Sequence, residues 1–378
     1  MSPQLPLLKD IDVRGKRVLL RLNLDLPVEN GVPRDTYRID SASKTLEFLR
    51  DQKAKTLIIG HVGRDPQESL RPVFEYLKNS FPVSFISTLE EAQQRIPSLE
   101  AGSFLLLENV RSFWGETKND PTFAKELASL ADLYVNEAFA VSHREHASIV
   151  GIPKLLPSYA GFVFADEVEH LSKAFSPEHP MLVVLGGAKF ETKTPLIEKF
   201  LPIADDIYVC GALANDIYCA RGYETGVSLV SECAISPKLL GNQKIRVPSD
   251  VIVRKLSGSF EKNADAVEKG EKIVDAGRNA LDDMRTLVEN AKFVLWNGPL
   301  GEYEAGFEQG TIELAQMLAE CDAETVIGGG DSLAVVSKLG LLERFSFVST
   351  GGGAMLEFLA NGTLPGISAL QEAQNRNI

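Results

Sequence analysis

The sequence predicts an α/β protein with two doubly wound, Rossmann-like domains of parallel sheet. Three observations lead to this prediction. Apolar runs alternate with amphipathic helical patterns along all 378 residues. Glycines follow the apolar runs of the second half, whereas arginines and histidines follow those of the first half. Such β-α-β alternation builds parallel sheets with helices on both faces, and this length suits about two or three domains.

The predicted strands are short apolar runs, typical of a parallel sheet that is buried on both faces. They cover residues 18–20, 56–59, 103–107, 133–136, 181–185, 206–210, 294–296, 325–327 and 345–349. Amphipathic patterns predict helices over 41–51, 121–131 and 270–290. A further amphipathic pattern over 161–175 precedes two helix-breaking prolines. We interpret it as a hinge helix between a domain of residues 1–160 and a domain of residues 176–364.

Composition limits the class of partner and the cellular compartment. The formal net charge is −13, which argues against nucleic acid or an anionic membrane as a bulk partner. The cysteines are too few and too scattered for a disulfide framework and fit reduced thiols; they are Cys210, Cys219, Cys233 and Cys321. We see no signal peptide and no membrane-spanning run. The expectation is a cytoplasmic protein.

The glycine-rich segments of the second half indicate a phosphate-bearing ligand. They span residues 186–189, 297–301, 328–332 and 351–354, each directly after an apolar run. Glycine lets the backbone approach a ligand closely, and the helix that follows offers unpaired N–H groups to an anion. Ordinary strand-to-helix turns also favour glycine. The repetition of the pattern favours a ligand along one sheet edge.

Basic side chains follow the strands of the first half and indicate a small, multiply anionic substrate. They are Arg21, Arg38, His61, Arg64, Arg111, His143 and Arg144. Ligands of open α/β sheets bind at the carboxyl ends of the strands, and arginine suits bidentate recognition of phosphate or carboxylate. Surface salt bridges are the alternative interpretation for any single arginine. His143 and His146 have no third metal ligand in view.

Taken together, these motifs resemble those of the phosphoglycerate kinase family, and the resemblance extends over nearly the whole length of the chain. The matching segments, in the family's order, are 21–27, 35–39, 60–64, 107–111, 119–148, 186–193, 296–304, 328–332, 349–359 and 364–366. The resemblance implies a glycolytic monomer that transfers a phosphoryl group reversibly from Mg²⁺-bound ATP to the carboxylate of 3-phosphoglycerate. The products are ADP and 1,3-bisphosphoglycerate. It also implies that the tail, 365–378, returns to the first domain.

The resemblance also implies roles for particular residues. The phosphoglycerate would be bound by Asn23, Leu24, Asp25, Arg38, His61, Val62, Gly63, Arg64, Arg111 and Arg144. The nucleotide would be bound by Lys189, Lys193, Gly211, Asn297, Leu300, Glu304, Gly329, Gly330, Asp331 and Ser332, with Asp331 as the metal ligand. The catalytic groups would be Arg38, Lys189, Gly351, Gly352 and Gly353.

The implied chemistry explains this choice of residues. A carboxylate nucleophile is already ionised at pH 7, so no general base is needed. In-line positioning and neutralisation of charge on the moving phosphoryl group are needed instead. The product is an acyl phosphate, so water must be excluded, and closure about a hinge is the expected means.

Three departures from the family pattern bear on specificity. The family's Arg-x-Asp-x-Asn is here Arg21-x-Asn23-x-Asp25, with the acid and the amide exchanged. The family's Gly-Trp-x-Gly-Leu-Asp segment is here residues 271–277, with Ile273 and Val274 in place of the expected Gly-Leu wall of the base pocket. The loop 65–69 is shorter than usual.

Other classes of protein fit the sequence less well. A nicotinamide dehydrogenase would need Gly-x-Gly-x-x-Gly after an early strand, and a P-loop ATPase would need Gly-x4-Gly-Lys-[Ser/Thr]. Neither spacing occurs. A catalytically inactive, kinase-derived binding or scaffold protein is the remaining alternative. It would be expected to have lost Arg38, Lys189 or Asp331, and all three are present.

Overall fold

The structure, a computed structural model, describes residues 3–34, 36–188, 190–231 and 235–376. The chain divides into two compact units. The first contains the described residues up to 169 together with 361–376, and the second contains those from 170 to 360. Lys189 and Cys233, which the sequence analysis singled out, lie outside the described residues.

The first unit is built on a parallel, six-stranded sheet. The strands of this unit are β1 (Arg17–Arg21), β2 (Val28–Glu29), β3 (Val32–Pro33), β4 (Lys55–Ile59), β5 (Val83–Ile86), β6 (Phe104–Leu107), β7 (Leu133–Asn136) and β8 (Ser158–Ala160). The sheet order is β5-β6-β4-β1-β7-β8, and β2 and β3 form a separate small ribbon. Strands β6 and β7 are buried at every residue, as a sheet covered on both faces requires.

Helices cover this sheet. They are α1 (Tyr37–Ser41), α2 (Ser43–Asp51), α3 (Arg71–Leu77), α4 (Leu89–Arg95), α5 (Pro121–Ser129) and α6 (Phe162–Lys173). The helix predicted over 41–51 corresponds to α2, and the separate short helix α1 precedes it. Helix α6 corresponds to the pattern over 161–175, and the division between the two units falls within it. Its action as a hinge remains a prediction.

The second unit contains another parallel, six-stranded sheet. Its strands and helices, with those of a smaller sheet, are β9 (Met181–Leu185), α7 (Phe190–Phe200), β10 (Asp206–Val209), α8 (Ala212–Ala220), α9 (Pro237–Leu240), β11 (Ile245–Arg246), β12 (Asp250–Lys255), β13 (Gly258–Asn263), β14 (Lys272–Ala276), α10 (Arg278–Asn290), β15 (Phe293–Asn297), α11 (Gln309–Glu320), β16 (Glu324–Gly328), α12 (Gly330–Lys338), β17 (Phe347–Val348) and α13 (Gly353–Asn361). The order β11-β10-β9-β15-β16-β17 is the Rossmann order. The predicted fold class is confirmed.

One predicted element is wrong in part. The amphipathic pattern predicts a single helix over residues 270–290, but β14 occupies its beginning and α10 starts only at Arg278. The adjacent β-branched residues Ile273 and Val274 favour a strand, and β14 pairs antiparallel with β12 in a small sheet of order β13-β12-β14. This sheet was not anticipated.

The C-terminal tail belongs to the first unit, as the resemblance implied. Helix α14 (Pro365–Asn375) is held there by hydrogen bonds at both of its ends. The Gly366 N–H donates to the Ser142 carbonyl at 2.8 Å, and the Arg376 guanidinium donates to the Pro153 carbonyl at 2.6 Å. None of the described helices is both long enough and apolar enough to cross a bilayer.

Candidate active site

The first unit gathers basic side chains at the carboxyl ends of its central strands. Arg21 is the last residue of β1, and His61 follows β4 closely, so these neighbouring strands end at one sheet edge. Arg111 lies in a short helical turn after β6, the next strand across. The sequence reasoning therefore placed these residues at the correct edge of the sheet.

Asp25 is the acidic member of this cluster. Its Oδ1 accepts a hydrogen bond from the Gly63 N–H at 2.8 Å, and its Oδ2 lies 3.6 Å from His61 Nε2. Burial opposes ionisation of this carboxyl group. The hydrogen bonds from His61 and Gly63, together with the charge of Arg38, outweigh burial and lower its pKa to about 2. Asp25 is therefore a carboxylate at neutral pH.

His61 is neutral under the same conditions. Its ring is almost wholly buried, and burial lowers its pKa to about 4, with the nearby charges of Arg21 and Arg111 acting in the same direction. Arg21 Nη2 lies 2.9 Å from His61 Nδ1. Because a guanidinium can only donate, Nδ1 accepts and the ring proton lies on Nε2.

The other predicted arginines surround these groups. Arg38, on α1, donates to the carbonyl of Asp25 at 2.7 Å, and Arg111 donates to the carbonyl of Gly63. Burial lowers the pKa of Arg111, and the positive charge of Arg144 lowers it further. Arg64 and Arg144 are exposed.

The remaining predicted residues of this cluster differ in what they can offer. Leu24 and Val62 are buried in the core, and their carbonyls accept hydrogen bonds from the Leu26 N–H and from Asn109 Nδ2, so neither residue is exposed to a ligand in this structure. Asn23 Oδ1 is buried and accepts no hydrogen bond from the part of the chain that the structure describes. Ser148, which accepts a hydrogen bond from Arg21, and Glu116, which accepts from Ser148, were missed because nothing in their sequence spacing relates them to Arg21.

In the second unit, the strand order reverses between β9 and β15, the position where doubly wound sheets bind ligands. The loops after these strands approach each other closely. A Cβ added at Gly186 would lie 2.1 Å from the carbonyl oxygen of Pro299, and one at Gly298 would lie 2.3 Å from that of Gly186. Gly298 also has a φ of 101°, which favours glycine. These glycines are needed for the close approach.

Polar side chains form hydrogen bonds that connect the same loops. Lys193, on α7, donates to Asn297 Oδ1 at the end of β15. Burial lowers the pKa of Lys193 to about 8. Ser332, at the start of α12, accepts a hydrogen bond from the Gly298 N–H at 3.1 Å. The structure thus brings together three residues that the resemblance assigned to the nucleotide.

A cavity of about 430 Å³ opens beside these loops. Four of the predicted nucleotide residues line it: Gly211, Leu300, Glu304 and Asp331. Ile273 and Val274 also line it, so the departure from the family pattern falls on the wall of this cavity. Lys272 and Glu302, which form an ion pair of 2.5 Å, contribute to the lining as well.

Asp275, on β14, is a further lining residue that the sequence analysis missed. Burial raises the pKa of its carboxyl group to about 6, although hydrogen bonds from the Gly310 and Ala276 N–H groups act in the opposite direction. The wrong helix assignment concealed this position. The run Ile273-Val274 between two glycines was the signal that could have revealed the strand.

Two helices begin at glycines near these loops. Gly329, with a φ of 101°, precedes the start of α12 at Gly330, and α13 begins at Gly353 after Gly352, whose φ is 52°. The first N–H groups of such helices have no partner within the helix and attract anions. The Gly351 N–H, by contrast, donates to Ser349 Oγ at 3.1 Å.

Asp331 fits a role as one ligand among several for Mg²⁺. It lies exposed in the first turn of α12 and lines the cavity. Within the described ranges, no group of three or more His, Cys, Asp or Glu side chains is arranged to hold a metal ion. Mg²⁺ commonly takes one or two carboxylates and completes its shell with substrate phosphates and water. A metal that arrives with the nucleotide is consistent with a single carboxylate here.

Two Rossmann-like units, one with a basic cluster and the other with a glycine-lined cavity, define an α/β phosphotransferase. The family model for phosphoglycerate kinase matches residues 8–362. The chain belongs to the phosphoglycerate kinase family, whose members transfer a phosphoryl group to a carboxyl group.

Individual relatives agree with this membership. A phosphoglycerate kinase of Thermus thermophilus is 41% identical over 96% of this chain and 99% of its own length. One of Pseudothermotoga lettingae is 39% identical over 97% of this chain and 98% of its own. The solved phosphoglycerate kinase of Coxiella burnetii has a TM-score of 0.84 at 34% identity, covering 98% of this chain and 99% of its own. These relatives lend no support to the inactive alternative.

Proposed function

We propose that the basic cluster of the first unit binds 3-phosphoglycerate and that the cavity of the second unit binds Mg-ATP. The observation that supports this proposal most directly is the placement of Arg21, His61 and Arg111 at the carboxyl ends of neighbouring strands, around the ionised carboxylate of Asp25. Such a cluster suits a small substrate with a phosphate and a carboxylate. We take the enzyme to act as a cytoplasmic monomer.

The proposed nucleotide site follows from the second unit. The N–H groups at the start of α12 and α13 would receive the phosphates, and Glu304 would receive the ribose hydroxyls. Asp331 would hold Mg²⁺, which supplies positive charge to the phosphates when bound. Lys193 would add a local positive charge in a chain that is acidic as a whole.

The proposed roles divide the catalytic work between the units. Arg38, Lys189 and the N–H groups of Gly352 and Gly353 would neutralise the charge that develops on the phosphoryl group, whereas the Gly351 N–H is bonded to Ser349. No side chain needs to remove a proton, because the accepting carboxylate is ionised. Asp25 and neutral His61 would orient the substrate, since a fixed acceptor beside a fixed donor defines one way of binding.

Replacement of Arg111 by alanine tests the assignment of the first site. We expect the KM for 3-phosphoglycerate to rise about tenfold or more, because one charge-assisted hydrogen bond is lost. The affinity for ADP, measured by calorimetry, should not change. Arg14→Ala is a matched control, since Arg14 is exposed but precedes β1 and so lies at the opposite end of the strands. An equal loss of ADP affinity in Arg111→Ala would contradict the two-site assignment.

The altered cavity wall leads to a prediction about the nucleobase. Because Ile273 and Val274 replace the family's glycine and leucine, we expect weak discrimination between ATP and GTP. The measurement is kcat/KM for both nucleotides in the same coupled assay. A preference for ATP on the order of 10²-fold, equal to about 2.7 kcal/mol, would refute this expectation.

A further inference from the structure

The hydrogen bonds behind the basic cluster begin at one buried carboxylate, Glu116. Its side chain has no exposed surface. Glu116 Oε2 accepts from the Ser148 N–H at 2.9 Å, and Oε1 accepts from Ser148 Oγ at 2.6 Å. The hydroxyl proton of Ser148 therefore points at Glu116. The lone pairs of the same oxygen are left for a donor on the other side.

Arg21 is that donor, and its guanidinium also forms a hydrogen bond with His61. Arg21 Nε donates to Ser148 Oγ at 3.0 Å, and Nη1 donates to the Leu22 carbonyl at 2.5 Å. Nη2 donates to His61 Nδ1 at 2.9 Å. The proton of the neutral imidazole is thereby confined to Nε2, which lies 3.6 Å from Asp25 Oδ2.

This network contains two buried charges, which are stable only when they are paired. Arg21 and Glu116 are both almost completely removed from water, and each would be costly to bury alone. Burial raises the pKa of Glu116, whereas the charge of Arg21 and the hydrogen bonds from Ser148 oppose that rise. His146 and Arg111 also face Glu116, with His146 Nδ1 3.7 Å from Oε1. The Ser148 hydroxyl is the bridge between the two buried charges.

We propose that Glu116 is a positioning residue that acts through Ser148 and Arg21 to fix the tautomer of His61. Through His61 it also fixes the orientation of the Asp25 carboxylate. This inference rests on the proposed function, because it takes His61 and Asp25 to contact the phosphoglycerate. Glu116 itself has no exposed surface and does not touch the substrate.

Glu116→Gln disturbs the hydrogen bonds while keeping the shape of the side chain. An amide offers one acceptor oxygen, which the Ser148 N–H can keep. Its NH₂ group would then face Ser148 Oγ and donate to it, so the Ser148 hydroxyl loses its acceptor and its oxygen must accept from both the amide and Arg21 Nε–H. The loss of the Glu116 charge and the weaker bond from Ser148 would loosen the hold on Arg21, and we expect its hydrogen bond to His61 Nδ1 to weaken.

The primary measurement is the ¹⁵N chemical shift of the two ring nitrogens of His61 at pH 7. The unchanged protein should show a protonated Nε2 and an unprotonated Nδ1. Glu116→Gln should show averaged shifts from a mixture of tautomers, and the KM for 3-phosphoglycerate should rise about tenfold while ADP affinity stays the same. A merely structural role for Glu116 would lower the melting temperature but leave the tautomer of His61 unchanged.

A second variant guards against failure to fold. Ser148→Ala keeps both buried charges, removes only the bridge, and should reproduce the tautomer mixture and the higher KM. Ser148→Thr keeps the hydroxyl and should behave like the unchanged protein. Ser142→Ala is the matched control, because Ser142 is a buried serine whose Oγ bonds with Ala138 and Asn136 instead.

The outcomes separate this inference from the proposed function. If Arg111→Ala raises the KM for 3-phosphoglycerate but Glu116→Gln and Ser148→Ala change neither the tautomer nor the KM, the inference is wrong and the proposed site stands. If the tautomer changes in both variants and no variant, Arg111→Ala included, alters the KM, the proposed site is wrong and the inference is overturned with it.

Discussion

Arg38→Ala is expected to lower kcat by roughly 10² to 10³-fold, the usual effect of removing one donor that stabilises transition-state charge. In the structure, Arg38 donates to the Asp25 carbonyl at 2.7 Å through Nη1, which fixes the guanidinium through one of its nitrogens. Its remaining N–H groups are then available to a phosphoryl oxygen. The KM for Mg-ATP should change little, because the nucleotide site is proposed for the other unit.

The matched control for Arg38→Ala is Arg34→Ala. Arg34 is an exposed arginine in the same segment, and its ion pair with Glu29, at 3.2 Å, lies on the surface. It should retain full activity, since exposed ion pairs contribute little. We expect the same loss of kcat for Lys189→Ala, a residue outside the described part of the chain. A kcat for Arg38→Ala close to that of the unchanged protein would contradict the catalytic role.

The exchange of acid and amide at positions 23 and 25 is expected to be tolerated as a pair but not singly. Asp25→Asn removes the one carboxylate that can accept a charge-assisted hydrogen bond from the substrate hydroxyl. Asn23→Asp places a second carboxylate near Asp25 and the anionic substrate, where like charges repel. Each single variant should lose phosphoglycerate affinity by about 10- to 100-fold, as expected for a hydrogen bond to a charged group.

The double variant shows whether positions 23 and 25 share one substrate contact or act independently. Asp25 is held by Gly63 and His61, whereas Asn23 Oδ1 is buried without a described partner, so the two positions have different surroundings although we expect them to share one substrate contact. Exchanging both residues restores the charge, so much of the affinity should return and the double-mutant cycle should show a large coupling energy. Additive losses in calorimetric titrations would show that the two positions share no substrate contact.

The pKa of Asp25 determines the lowest pH at which its carboxylate stays ionised and keeps its interactions in this site. Its pKa in the folded chain is about 2, below the usual value of 3.8. The interactions that hold the carboxylate are therefore complete above pH 3.8 and are lost as the pH falls towards 2. His61, whose pKa is lowered to about 4, begins to take up a proton above this window and is mostly protonated within it.

The sequence predicted the main architecture because that information is local. Apolar runs such as Val183-Val184-Leu185 can be satisfied only by burial on both faces, and the alternation with amphipathic segments then dictates parallel strands joined by helices. The strand order could not be read in the same way. Whether β15 lies beside β9 is decided by contacts between residues more than 100 positions apart, such as Leu295 with Val183.

The sequence was misleading where local preference and tertiary context disagree. Residues 270–290 have an amphipathic helical pattern, but Lys272–Ala276 gains hydrogen bonds by pairing with β12, a strand that the sequence analysis did not identify. As a result, Asp275 and the Lys272–Glu302 ion pair were not expected on the cavity wall. Ile273 and Val274 were expected there only because the family resemblance assigned them to it.

The sequence by itself determined which basic and glycine residues follow which strands, and hence the sheet edges at which they lie. The state of those residues was decided by the tertiary structure alone. The low pKa of Asp25, the neutral form of His61 and the buried link from Glu116 to Arg21 depend on burial and on distances of about 3 Å between distant segments. Such interactions fall off steeply with geometry, and no spacing along the chain encodes them.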